Sequence, residues 1–229
     1  MRIVVALGGN ALAKRAEPMT ADRLRANVKS TCQALAELTA EHEVVITHGN
    51  GPQVGLLALQ NLAYRDVAAY PLDILGAETQ GMIGYVIQQE LSNALVGGRP
   101  VTALITTAVV DSDDPAFSHP TKLIGPQYSP QDAAEAAAEY RWTIARDGTM
   151  FRRVVPPPNP LRIPPAGTLR QPLDRGQVVV CVGGGGGPVR TDERGREIGM
   201  QAVVDKDLAS AALAAELDVE LAITQSNHE

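Results

Sequence analysis

The chain has 229 residues, 45% of them hydrophobic and 20% charged, with a formal net charge of −6. That length suits one domain or two small ones with a real core, and the composition excludes a disordered chain. The acidic balance leaves no global basic field for nucleic acid, no apolar run reaches the ~20 residues that span a bilayer, and no charged-then-apolar leader opens the sequence, so the expected setting is the cytoplasm with no membrane partner.

Residues 2–7, Arg-Ile-Val-Val-Ala-Leu, read as a strand that runs straight into Gly8-Gly9-Asn10. A helix is expected over 20–39, from Leu24, Val28, Cys32, Leu35 and Leu38 on one face. A strand at 43–47 then meets His48-Gly49-Asn50-Gly51-Pro52-Gln53, with proline at a helix start. A second helix is expected over 76–96, and a strand over 101–110. Residues 111–170 are rich in proline and break the rhythm; Ser129-Pro130-Gln131-Asp132 opens a short helix to about residue 140. This stretch reads as an excursion from the sheet, either a small lid or a plain surface insertion. The rhythm resumes with a strand at 177–182, the five-glycine run 183–187, a helix at 205–217 and a strand at 219–223. Alternating strands and helices imply a parallel sheet covered on both faces.

Three strands therefore end in glycine-rich turns. The carboxyl ends of strands in an open α/β sheet are where ligands bind, and glycine lets backbone N–H groups approach a ligand closely. The pattern points to a small anion, with packing as the bland alternative for each junction taken alone. Neither G-x-G-x-x-G nor G-x-x-x-x-G-K-[ST] occurs, so any nucleotide is held by another architecture. Asp205-Lys206-Asp207 sits at a helix start. Acidic residues suit that end of the dipole; a lysine does not, and a phosphate resting there would account for it. Lys122 occupies a turn at the base of the excursion, where a solvated surface lysine is the alternative reading. His48 reads as a satisfied buried histidine, and Cys32 and Cys181 as buried free thiols without metal-ligand or disulfide spacing.

In order along the chain, Ala6-Leu-Gly-Gly-Asn-Ala-Leu12, Thr47-His-Gly-Asn-Gly-Pro-Gln-Val-Gly55, Asp111-Ser-Asp-Asp-Pro-Ala-Phe117, Pro120-Thr-Lys122, Asp147-Gly148 with Arg152-Arg-Val-Val155, Gly183-Gly-Gly-Gly186 and Ala202-Val-Val-Asp-Lys-Asp207 resemble the carbamate kinases of the amino acid kinase superfamily. The resemblance spans 1 to about 223. It implies an α/β fold, a three-layer αβα sandwich with a mostly parallel open sheet, as a single domain over 1–229 with a small protruding subdomain at roughly 118–170. It implies a homodimer in arginine metabolism and reversible phosphoryl transfer between carbamoyl phosphate and ADP, giving ATP and carbamate, with Mg²⁺ accompanying the nucleotide.

The site residues implied are Gly8, Gly9 and Asn10 beside the transferring phosphoryl group, and Gly49, Asn50 and Gly51 at the carbamoyl end. Gly183, Gly184 and Gly185 form a third phosphate-binding turn. Lys122 and Lys206 contact the phosphoryl group, and Asp207 orients the lysines; no protein metal ligand is implied. Two departures are Gly187, where the family has a bulkier apolar residue, and Met200-Gln201 in place of a Val-Glu pair. Family members also continue past the strand at 219–223 into a portion that holds adenine and ribose. The expectation is therefore a chain of little kinase activity, or a non-catalytic module that keeps the carbamoyl phosphate pocket.

Overall fold

The computed structural model describes residues 1–13, 17–163 and 166–224. In chain order, β1 (Arg2–Leu7) leads through a 3-10 turn, Gly9–Ala11, to α1 (Ala21–Glu41). Then come β2 (Glu43–His48), α2 (Gly51–Ala63), α3 (Leu72–Ala94), β3 (Val101–Ala103) and β4 (Thr107–Val110). The former excursion holds β5 (Lys122–Tyr128), α4 (Pro130–Tyr140), β6 (Ile144–Asp147), β7 (Met150–Val155) and β8 (Pro160–Arg162). It is followed by α5 (Ala166–Asp174), β9 (Val178–Val180), the hairpin β10 (Gly187–Thr191) and β11 (Glu197–Gly199), α6 (Lys206–Leu217) and β12 (Glu220–Thr224).

The central sheet is five-stranded, in the order β12-β1-β2-β9-β3, and every pairing in it is parallel. Its strands are near-continuous apolar runs because both faces are covered. Alternation sorts the side chains: Ile3, Val5, Val44, Ile46, Val178 and Val180 pack toward α1 and α3 in one core. Val4, Val45, Val179 and Cys181 pack toward α5 and α6 in the other, against Leu169, Leu173, Leu213 and Leu217. The result is the αβα sandwich. Among the described residues, no helix is long and apolar enough to cross a membrane.

Two expectations need correction. The apolar run 101–110 is two strands. β3 closes the edge of the central sheet, whereas β4 pairs with β10 and β8 in a separate sheet ordered β11-β10-β4-β8. The break falls where Thr106 leaves the ladder to bond with Gln80, on α3. The strand expected over 177–182 ends at Val180; Cys181 still donates to Ile46 O at 2.9 Å, but Val182 turns into the left-handed region at φ 52°.

A third sheet, β5-β7-β6, is antiparallel and carries α4 beside it. A satellite core joins it to the rest: Ile124 and Val155 pack with Val54, Ala58, Leu72, Leu75 and Val203. The seam between α2 and β5 is backbone on backbone. A Cβ placed on Gly55 would lie 2.0 Å from Gly125 Cα, so only glycine fits and β5 is drawn tight against α2. That contact fixes the height of Lys122, at the start of β5, over the turn that begins α2. The departure at 200–201 also has a use: Leu72 N donates to Gln201 Oε1 at 3.1 Å, which caps the start of α3.

Candidate functional site

The three glycine junctions meet at one end of the central sheet. A cavity of about 250 Å³ opens there, lined among others by Gly9, Gly49, Asn50, Gly51, Gln53, Lys122, Arg152, Gly184, Asp205, Lys206 and Asp207. A larger cavity, about 380 Å³, lies beside it between α1, α2 and α3, lined chiefly by apolar residues such as Leu12, Leu24, Leu56, Leu57 and Met82. Chemistry favours the smaller one, because the lysines and the glycine turns converge there.

Each wall has a local cause. β1 ends at Leu7 and its chain curls into the 3-10 turn that presents Gly9 at the cavity; Gly8 is buried behind it, and the side chain of Asn10 lies outside the described residues. β2 ends at His48, and Gly49 and Asn50 swing the chain into α2 with Pro52 in its first turn. After β9, Val182 to Gly185 form a tight turn in which Gly184 has φ 63°. A Cβ on Gly184 would lie 2.1 Å from Asn50 Nδ2, so the second and third turns interlock through Asn50. Gly183 and Gly185 stand behind this surface, against His48 and Val204 respectively.

The charged groups come from two directions. Lys206 is the first residue of α6, whose cap is Asp205: the Asp205 side chain accepts from Asp207 N at 2.9 Å. The stem of Lys206 lies over Gly49, where a Cβ would be 3.4 Å from its Cδ, and its ammonium pairs with Asp207. Lys122 reaches across from β5 and its Nζ lies 2.8 Å from Asp205 Oδ2. Each lysine thus has its own aspartate, rather than Asp207 serving both. Burial pushes the Asp205 carboxyl up, but the charge and hydrogen bond of Lys122, with the N–H groups of Asp207 and Leu208, outweigh it and hold the pKa below the ordinary carboxylate value.

Buried polar side chains gather behind the site. Thr47 Oγ1 and Ser210 Oγ share a hydrogen bond of 2.6 Å, and Ser210 Oγ donates to Lys206 O at 2.6 Å, tying the first turn of α6 to the end of β2. Asn50 Nδ2 donates to Thr79 Oγ1 at 2.8 Å. His48 is fully buried, but it is only half satisfied, which corrects the expectation: Nδ1 donates to Gly49 O at 3.0 Å, and Nε2 has no partner. Burial pushes its pKa down to about 4, so the ring is neutral. Cys32 and Cys181 are buried free thiols whose pKa burial raises to about 12, so neither is a nucleophile here.

Sequence reasoning gave no role to Arg152 or Gln53, both at the cavity, and treated Asp205 only as a dipole partner. Arg152 Nε donates to Gly125 O at 3.0 Å, which aims the guanidinium from the small sheet. Its place in the strand that follows the Asp147-Gly148 turn, within Arg152-Arg-Val-Val155, was the available signal. Chemically, the arrangement offers backbone N–H groups, two ammonium groups on separate elements and a helix N-terminus around one small cavity. That set neutralises a multiply charged anion from several sides.

A family model, the amino acid kinase family, matches residues 1–227. A carbamate kinase of Haemophilus influenzae is 54% identical over 223 residues, which is 97% of this chain and 72% of that protein. One from Rhizobium meliloti is 51% identical over 232 residues, covering all of this chain and 71% of its own. Among solved structures, the carbamate kinase of Giardia lamblia bound to citric acid superposes with a TM-score of 0.93 at 37% identity, over 98% of this chain and 75% of that one. The same enzyme bound to AMP-PNP gives 0.83 at 35% identity, over 98% and 73%. The αβα sandwich, the three glycine turns and these likenesses agree: the chain belongs to the amino acid kinase family and, within it, to the carbamate kinases.

Proposed function

We propose that the cavity is where a phosphoryl group passes between carbamoyl phosphate and ADP, giving ATP and carbamate. One observation carries the reading: Lys122 and Lys206, brought from opposite sides by β5 and α6, face the same cavity as Gly9, Gly49 and Gly184. Phosphoryl transfer asks little covalent chemistry of a protein. It asks that donor and acceptor be held in line and that charge on the equatorial oxygens be neutralised. In this reading Gly8, Gly9 and Asn10 lie along the transferring group, Gly49, Asn50 and Gly51 hold the carbamoyl end, and Gly183, Gly184 and Gly185 form the third side. Lys206 and Lys122 exchange their aspartates for phosphoryl oxygens as charge develops. Asp207 and Asp205 hold the ammonium groups in place until then.

Mg²⁺ would supply further neutralisation of nucleotide phosphates. The donor set fits a metal carried mostly by phosphate oxygens and water, since Asp205 and Asp207 are each paired with a lysine and, among the described residues, no three His, Cys, Asp or Glu side chains group as a metal site. We assign the small sheet with α4 as the protruding subdomain, which delivers Lys122. We further place the activity in the cytoplasm, and read the exposed apolar side of α3, at Ile74, Met82 and Tyr85 with nearby Ile105, as the contact between two copies.

The test measures ATP formed from ADP and carbamoyl phosphate by a coupled assay, with carbamoyl phosphate affinity by calorimetry beside it. Turnover that depends on both substrates supports the reading. A protein that binds no carbamoyl phosphate and forms no ATP overturns it, and binding without turnover points to a carbamoyl phosphate module instead.

A further inference from the structure

We propose that Thr106 and Gln80, with Thr79 beside them, are positioning residues that set the second and third glycine turns for catalysis, although none of the three faces the cavity. The inference rests on the phosphoryl-transfer reading of that cavity. Thr106 lies in the break between β3 and β4 and is 2% exposed; Gln80 and Thr79 are consecutive buried residues on α3.

Thr106 grips the glycine run at both ends. Its hydroxyl accepts from Val182 N at 2.8 Å, just before the run, and its carbonyl accepts from Gly187 N at 2.8 Å, at the far end. Gln80 in turn grips Thr106. Its Nε2 donates to the Thr106 carbonyl at 3.1 Å, and its Oε1 accepts from Thr106 N at 3.0 Å and from the Thr106 hydroxyl at 3.3 Å. Thr106's donors and acceptors are thereby engaged, in a buried interior where a half-made network would be costly.

The grip has something to hold. Val182, a β-branched residue, sits at φ 52°, a conformation that persists only where the surroundings over-determine it. The hydrogen bond from Val182 N to Thr106 is such a constraint, and it falls one residue before the turn that presents Gly184. Thr79 does the corresponding work for the second turn: its hydroxyl accepts from Asn50 Nδ2 at 2.8 Å and donates to Gly76 O at 2.6 Å. Asn50 is the side chain against which Gly184 packs. One turn of α3 therefore sets both glycine turns relative to each other.

The experiment compares Thr106→Val, which keeps size and backbone but removes the hydroxyl, with Thr106→Ser, which keeps the hydroxyl. Thr79→Val and Thr79→Ser form the second pair. The readouts are kcat and KM per folded molecule, together with carbamoyl phosphate affinity. Displacement of a reacting group by about 1 Å costs on the order of 100-fold in rate. The expectation is a kcat loss of about tenfold or more for Thr106→Val with KM for ADP little changed, restored to near wild type in Thr106→Ser. Thr79→Val should instead weaken carbamoyl phosphate binding by about tenfold, with Thr79→Ser as the rescue.

A merely structural role lowers the unfolding midpoint of the valine variants and leaves kcat and affinity per folded molecule unchanged; that result overturns the proposal. So does failure of both valine variants to fold. A wild-type protein that forms no ATP but binds carbamoyl phosphate counts against the phosphoryl-transfer reading alone, and the affinity comparison of the Thr79 pair then decides this one.

Discussion

Lys122 Nζ and Asp205 Oδ2 lie 2.8 Å apart although 83 residues separate them in the chain. This ion pair joins the small antiparallel sheet to the cap of α6, and so ties together the two elements that supply the lysines of the cavity. Both ammonium groups are engaged by carboxylates, Lys122 with Asp205 and Lys206 with Asp207. An incoming phosphoryl group must compete with those carboxylates, which favours a ligand of high charge over a singly charged one.

The sharpest consequence concerns Lys206. If it stabilises charge that develops during transfer, Lys206→Ala should lower kcat by about 100-fold or more, the scale of losing one preorganised donor. KM for ADP should change far less, because a group that acts on charge developing in the transition state contributes little to ground-state binding. Steady-state kinetics on the folded variant test this. Lys206→Arg should not recover full rate, since a longer, planar guanidinium spreads its charge beyond the point where the compact lysine ammonium meets Asp207. Unchanged kcat in Lys206→Ala would remove the lysine from the mechanism.

Asp205→Asn tests the ion pair separately. The amide still offers an oxygen to cap Asp207 N but no longer carries charge. Because the Asp205 side chain is 39% exposed and its partner 21%, solvent screening limits the pair, and the stability loss at pH 7 should be below about 1 kcal/mol. The carboxyl pKa is depressed in the fold, so its contribution is present above the unfolded carboxylate value and is lost as pH falls through the lower folded value. Urea unfolding midpoints of wild type and variant should therefore converge in acid, beginning below about pH 5. A gap that widens in acid would contradict the assignment.

What the sequence disclosed, and what it hid, follows from where each signal resides. The strands at the cavity were legible because apolar runs stop at glycine, and Lys206 because a helix start gives a lysine no local reason; Lys122, open to reading as a solvated surface lysine, was singled out by the family resemblance. The break between β3 and β4 was not, since Val-Thr-Ala-Leu-Ile-Thr-Thr-Ala-Val-Val contains no turn residue. Gln80, distant in sequence, decides it. The reach of α2 was hidden because its composition is apolar without a clear polar face, and α5 because Gly167 and Pro172 disguise a helix of nine residues. The small sheet was concealed by Gly125 and Pro126 inside β5, which tertiary contact with Gly55 accommodates. Paired identities such as Asn50 with Thr79, or Thr106 with Gln80, exist only across elements and leave no local pattern.

Gly184 separates backbone strain from steric fit. Gly184→Ala places a side chain at φ 63° and into the Asn50 amide, so it should cost about 2 kcal/mol or more and lower turnover as Asn50 shifts. Gly148 provides the comparison, with φ 66° and nothing within 4 Å of an added Cβ. Gly148→Ala should cost only the left-handed penalty, about 1–2 kcal/mol, with turnover per folded molecule retained. Thermal unfolding and kinetics of the two variants check the contrast. Equal loss of activity in both would mean that the interlock with Asn50 is irrelevant to function.

His48 gives a pH signature to the fold itself. Burial pushes its pKa from the ordinary 6.5 to about 4, opposed only by the hydrogen bond from Nδ1 to the Gly49 carbonyl. The unfolded chain therefore binds a proton that the folded chain refuses between pH 6.5 and about 4. Stability must rise with pH across that window and fall as acid is added, the sign expected where the unfolded state holds more protons. At ~1.36 kcal/mol per pKa unit, the loss between pH 7 and pH 4 assigned to this one group is about 3 kcal/mol. Protonation would also give Nε2 a hydrogen with no acceptor, against Gly183, so the third glycine turn should loosen first. The check is the unfolding free energy of wild type and His48→Gln in urea across pH 4 to 7. The wild-type curve should fall more steeply by roughly 2–3 kcal/mol over the range. Parallel curves would mean that the imidazole takes its proton without cost and that water reaches Nε2.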